Sequence, residues 1–99
     1  MENLSNISVV KNLLQKHGFS FSKSLGQNFL INPSVCPKMA LESGANKNVG
    51  VLEIGPGFGV LTCELAKIAK KVVSIELDSR LLPVLSETLE EFANVKVIN

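Results

Sequence analysis

The sequence predicts an α/β fold: two helices, then strand–helix–strand–helix–strand, with the strands parallel. Three observations carry this. The apolar run GVLEI (Gly50–Ile54) breaks at Gly55, Pro56 and Gly57, and an amphipathic segment follows. A second run, KVVSIE (Lys71–Glu76), ends in an acid and precedes another apolar stripe. NVKVI (Asn94–Ile98) then alternates as a third strand. Strands interleaved with helical patterns are the mark of β-α-β units and a parallel sheet.

The elements follow in order. ISVVKNLLQKHG places Val9, Val10, Leu13 and Leu14 on one helical face and ends at Gly18. NPSVCPKMALESG opens with Asn32 as a cap and Pro33 at the first helical position, and ends at Gly44. Pro37 requires either a helix that restarts there or a loose first turn. Between these helices FSFSKSLGQNFLIN carries Phe19, Phe21, Leu25, Phe29, Leu30 and Ile31, too apolar for a plain linker. GVLEI reads as a buried strand, because glycine and proline forbid continuation as a helix. Beyond the turn, Leu61, Leu65 and Ile68 recur at helical spacing, with Thr62, Glu64 and Lys67 on other faces. Lys70 and Lys71 stand where that helix would end, which suits its negative pole. After KVVSIE, Asp78 and Ser79 are N-cap candidates, and Leu81, Leu82, Leu85 and Leu89 form a stripe. Pro83 must lie in the first turn, since deeper it would remove an internal hydrogen bond.

Composition bounds the rest. Ninety-nine residues permit one domain, and 45% hydrophobic content with five Phe and neither Trp nor Tyr implies an aliphatic core. The net charge of +1 announces no nucleic-acid partner. Lys11, Lys16, His17 and Lys23 nevertheless cluster with no acid between them, as a basic arm for RNA or as an ordinary solvated face. Cys36 and Cys63 lack C-x-x-C spacing, and with a single His there is no zinc set. They read as small core residues of a reduced, cytoplasmic protein. MENLSNISVV has no signal-peptide pattern, and no apolar run approaches membrane-spanning length.

A glycine turn after a strand lets a ligand approach backbone. A phosphate loop requires G-x-x-x-x-G-K-[ST], which is not here. Gly55, Gly57 and Gly59 give G-x-G-x-G, with the third glycine one residue early for the dinucleotide fingerprint. Glu53, two residues before Gly55, would repel a pyrophosphate. A ligand with an amine and no pyrophosphate fits better, and S-adenosylmethionine has both properties. A tight turn that binds nothing also satisfies this pattern. Glu76 adds weight. It lies about twenty residues beyond the first glycine, where a carboxylate at the second strand's tip grips ribose hydroxyls. Otherwise it is an acid near a helix start, which is favourable there in any case.

SLGQNFLINPS, followed by VLEIGPGFGVLTCELA and VVSIELDSRLLPVL, resembles the ribosomal RNA adenine dimethyltransferases from about Lys11 to Asn99. GQNFL is the most specific part. The erythromycin-resistance methyltransferases carry a similar element but usually lack the glycine before it, so Gly26 favours the housekeeping enzyme. The resemblance implies a Rossmann-like class I methyltransferase fold, of which 1–46 holds the N-terminal helices and the GQNFL segment and 47–99 the first half of the cofactor-binding unit. It implies S-adenosyl-L-methionine as cofactor and methylation of adenosine N6 in small-subunit (16S) ribosomal RNA. By position, Asn28 and Leu30 match residues that close over the cofactor's methionine end, Gly55 the first glycine facing it, and Glu76 the ribose clamp. Glu53 matches an acid with two open roles, ordering the loop or holding the cofactor's amine through water.

The family's next cofactor contact, an Asp after the third strand, and its target-adenine motif, Asn-Leu/Pro-Pro-Tyr/Phe, are absent from these 99 residues. The chain therefore reads as an N-terminal portion, inactive by itself, with no catalytic residue and no metal site. Its expected partners are small-subunit ribosomal RNA and the pre-ribosomal subunit, with no membrane; the isolated portion is expected to self-associate through the free edge of GVLEI. A non-catalytic RNA-binding or assembly module and a nucleotide-dependent oxidoreductase domain are the competing classes.

Overall fold

The computed structural model describes residues 7–19 and 34–99. Helix α1 spans Ile7–Lys16 and α2 spans Val35–Glu42. Strand β1 (Gly50–Ile54), helix α3 (Val60–Ile68), strand β2 (Lys71–Ile75), helix α4 (Leu82–Thr88) and strand β3 (Val95–Ile98) follow, with a 3-10 turn at Ser79–Leu81 leading into α4. The expected order of elements is present.

The proline question resolves locally. Helix α2 starts at Val35, so Pro37 is its third residue, where a backbone N–H would have no intrahelical acceptor. The cap expected at Asn32 and Pro33 lies outside the described residues. Pro83 is likewise in the first turn of α4.

The three strands are parallel in the order β1-β2-β3, with Gly50 opposite Lys71, Glu53 opposite Ser74, and Ile75 opposite both Ile54 and Ile98. Successive right-handed crossovers stepping the same way put their helices on one face of a sheet. Burial agrees. Val72, with Val51 and Val95 beside it, joins Ala40, Leu65, Ala66 and Ala69 in one core cluster. The alternate residues Leu52 and Ile54 are 65% and 69% exposed. A second apolar region joins α1 to α4 and the start of α3: Val10, Leu13, Leu14 and Val84 are buried against Phe19, Phe58, Val60 and Cys63.

Two expectations about α3 are corrected. Thr62, read as lying off the apolar stripe of α3, is fully buried. The helix ends before Lys70, and Lys71 opens β2. Its last carbonyls are instead bound by Asn94, whose side-chain amide donates to Ala66 O (2.9 Å) and Ala69 O (3.2 Å). That brings the start of β3 against the end of α3 across 28 residues of sequence.

Candidate functional site

The site forms where β1 and β2 end side by side. Parallel register brings Gly55 beside the tip of β2, and Gly55 N donates to Ile75 O at 2.8 Å. Gly55 has φ +71°, a left-handed conformation that L side chains rarely adopt, and it is exposed with open space where a Cβ would stand. Gly57 is similarly open. Its N–H donates to Glu76 Oε1 at 3.2 Å.

Glu76 is only 7% exposed. Its Oε2 accepts from Asp78 N at 2.9 Å, and its own N–H donates to Ile98 O at 2.8 Å. The carboxylate is thus held by backbone on both sides. A carboxylate offers about four acceptor positions, so two N–H donors leave capacity for a pair of hydroxyls.

Gly59 has a different job. It caps α3 at φ +89°, and a Cβ there would meet Thr88 Oγ1 at 2.8 Å and Leu85 Cδ2 at 3.2 Å. In a dinucleotide fingerprint the third glycine clears a helix–strand contact. Here it clears α4, which argues against the oxidoreductase reading.

Beneath the turn, Glu53 Oε1 accepts from Thr62 Oγ1 at 2.5 Å and from Ser74 Oγ at 2.8 Å. Of the two roles open for Glu53, ordering the loop is the one this geometry serves. On the outer side, Phe58 meets Phe19 edge-on at 6.0 Å, and the Arg80 guanidinium lies 5.7 Å from the Phe19 ring centre. Arg80 also chelates Asp78, whose carboxyl the side-chain hydrogen bond holds below the usual range. Glu87 on α4 accepts from Lys16 Nζ (2.9 Å) and lies 3.2 Å from His17 Nε2, tying down the end of α1. Those hydrogen bonds lower its carboxyl pKa. Burial pushes the Cys63 thiol up to about 12, so it is no nucleophile at neutral pH.

The structure therefore brings Gly55 and Glu76 together around one open turn. Asn28 and Leu30 lie outside the described residues. Sequence reasoning missed the inward face of Thr62, the pairing of Ser74 with Glu53 and the contact of Phe58 with Phe19. The one available signal was an acid and a serine interrupting two otherwise apolar strands.

Residues 18–99 match the protein-family model described as ribosomal RNA adenine dimethylase. The chain is 50% identical over its whole length to the ribosomal RNA small subunit methyltransferase A of Bacillus mycoides (strain KBAB4), of which it covers 34%. It thus spans about a third of the length of the curated relatives it matches. A solved structure of the 23S rRNA methyltransferase ErmE is similar at a TM-score of 0.65 and 38% identity, over 69% of this chain and 28% of that one. A dimethyladenosine transferase from Plasmodium falciparum is similar at a TM-score of 0.62 and 34% identity, over 69% and 26%.

Proposed function

The chain belongs to the ribosomal RNA adenine dimethylase family, and from that premise we propose that it forms the cofactor-binding part of an S-adenosylmethionine-dependent enzyme that dimethylates adenosine N6 in small-subunit ribosomal RNA. The observation that carries this reading is the Glu76 carboxylate, buried and oriented by Gly57 N and Asp78 N beside an open turn. Its spare acceptor capacity fits a vicinal ribose diol, and charge-assisted bonds of this kind are the stronger sort. The open space over Gly55 and Gly57 admits a ligand that packs against backbone.

The roles follow. Glu76 orients the ribose, Gly55 gives the backbone surface, and Asn28 and Leu30 close over the methionine end. When bound, S-adenosylmethionine supplies an electrophilic methyl group on a sulfonium. None of these residues needs to move a proton. The division into 1–46 and 47–99 serves the same purpose, with an N-terminal cover and a cofactor-binding half. Small-subunit ribosomal RNA in an assembling subunit is the proposed partner and the cytoplasm the proposed location. Among the described residues no helix is long and apolar enough to cross a membrane.

The test is calorimetry of S-adenosylhomocysteine on the full-length protein. Glu76→Ala is expected to lose about 1.5–3 kcal/mol, the worth of a hydrogen bond to a charged group. Unchanged affinity would remove the clamp from Glu76. Methyl transfer to purified small and large subunits then separates this reading from the ErmE-like one, and these 99 residues alone are expected to transfer none.

For the 99 residues in isolation, self-association through β1 is part of the proposal. Its outer edge has no partner strand among the described residues, and Leu52 and Ile54 are exposed beside it. Sedimentation should show concentration-dependent assembly, reduced by Leu52→Lys with Ile54→Lys. A compact monomer at micromolar concentration would contradict it.

A further inference from the structure

We infer that Phe19 is a positioning residue for the cofactor site: it joins the two chain segments whose N–H groups orient Glu76, and so couples the docking of α1 to the ribose clamp. The consequence for cofactor affinity rests on the reading above; the junction itself does not.

Two separate segments hold the Glu76 carboxylate. Gly57 N donates to Oε1 from the turn after β1, and Asp78 N donates to Oε2 from the turn after β2. Phe58 follows Gly57, and Arg80 stands two residues after Asp78. Phe19 touches both. Its ring meets Phe58 edge-on at 6.0 Å, and the Arg80 guanidinium lies over it at 5.7 Å. Phe19 is itself fixed. Gly18, at φ +79°, turns the chain at the end of α1, and Phe19 N donates to Leu14 O at 2.8 Å. Behind it, Val10, Leu13 and Leu14 are buried, and Lys16 and His17 meet Glu87 on α4. Arg80 is fixed from the other side, its Nε and Nη2 forking onto the Asp78 carboxylate at 3.0 and 2.7 Å. Such a fork uses the edge of the guanidinium and leaves its faces free for an aromatic ring. An exposed ion pair of this kind contributes little to stability by itself. Its effect here is to hold the guanidinium over Phe19. The end of α1 thus sets the spacing between the two turns that supply donors to Glu76.

Two measurements on the full-length protein test this. The first is hydrogen exchange of the Gly57 and Asp78 amides without ligand; the second is calorimetry with S-adenosylhomocysteine. Phe19→Ala removes both contacts. It is expected to speed those two amides and to weaken binding by about fivefold to thirtyfold, the combined worth of an aromatic pair and a cation over a ring. The amides of β2 and β3 should keep their rates. Phe19→Tyr keeps the ring and should retain both properties. Arg80→Gln leaves the packing of α1 intact, should speed the Asp78 amide more than the Gly57 amide, and should add nothing in a double variant with Phe19→Ala. Linkage requires the reciprocal effect: bound S-adenosylhomocysteine should slow exchange of the Phe19 amide, and less so in Arg80→Gln. Unchanged exchange at Gly57 and Asp78 in Phe19→Ala overturns the junction. If that variant fails to fold, Phe19→Leu and Arg80→Gln decide by the same two measurements. Equal acceleration throughout β2 and β3 shows general loosening and also overturns it. Faster exchange with unchanged affinity overturns the positioning role. Weaker binding with unchanged exchange assigns Phe19 to the ligand directly and overturns it too. If the wild type binds no S-adenosylhomocysteine, the cofactor reading has failed, and exchange still decides the junction.

Discussion

Gly59→Ala is expected to destabilise the protein far more than Gly55→Ala, although both glycines belong to the same turn. Each has positive φ, +89° at Gly59 and +71° at Gly55, so each alanine meets a left-handed backbone cost of about 1–2 kcal/mol. The surroundings differ. Nothing lies within 4 Å of a Cβ at Gly55. A Cβ at Gly59 would stand 2.8 Å from Thr88 Oγ1, 3.2 Å from Leu85 Cδ2 and 3.4 Å from Leu89 Cδ2. Forcing a methyl into such packing adds about 1–3 kcal/mol. The total, about 2–5 kcal/mol, is a large part of an ordinary domain's roughly 5–15 kcal/mol. Urea denaturation followed by circular dichroism measures both variants. The crowding also predicts coupling: Thr88→Ala should recover part of the loss in Gly59→Ala but not in Gly55→Ala. Equal destabilisation by the two glycine substitutions would refute the reasoning, because only the contact with α4 separates them.

Other outcomes follow from single contacts. Thr88 Oγ1 is the one buried side-chain polar atom without a partner among the described residues, so the near-isosteric Thr88→Val should stabilise by about 1 kcal/mol; a loss on denaturation would show that the hydroxyl has a partner. Glu87 has a lowered carboxyl pKa, so its contribution is complete above the ordinary glutamate value of about 4.3 and is lost as pH falls through the lowered one. The stability gap between wild type and Glu87→Gln should therefore close on acidification, and a gap that widens would contradict the α1 latch. With its thiol pushed up to about 12, Cys63 should be alkylated much more slowly in the native than in the unfolded protein, and equal labelling rates at neutral pH would count against that shift.

Much of this molecule was written locally. GVLEI, KVVSIE and NVKVI are short apolar runs cut by glycine, proline or an acid, and a parallel arrangement follows from the helical segments between them. The spacing from Gly55 to Glu76 is equally local in origin. One strand, one turn, one helix and a second strand must place those two residues at neighbouring strand tips, which is where they are.

What tertiary structure decided lies at contacts between elements far apart in sequence. Thr62 occupies a helical position that periodicity places off the apolar stripe. It points inward because a carboxylate on β1 and a hydroxyl on β2 meet there, and a buried polar group goes where its partner is. Gly59 resembles a ligand-facing glycine in sequence, yet its lack of a side chain serves the approach of α4. Asn94, thirty-one positions after Cys63 and unremarkable in sequence, binds the end of α3 where lysines were expected. The sequence by itself determined the elements, their order and the acid beside the turn, because these depend on nearest neighbours and period. Which face each helix buries, and which glycine faces a helix rather than open space, depends on what the rest of the chain packs against it.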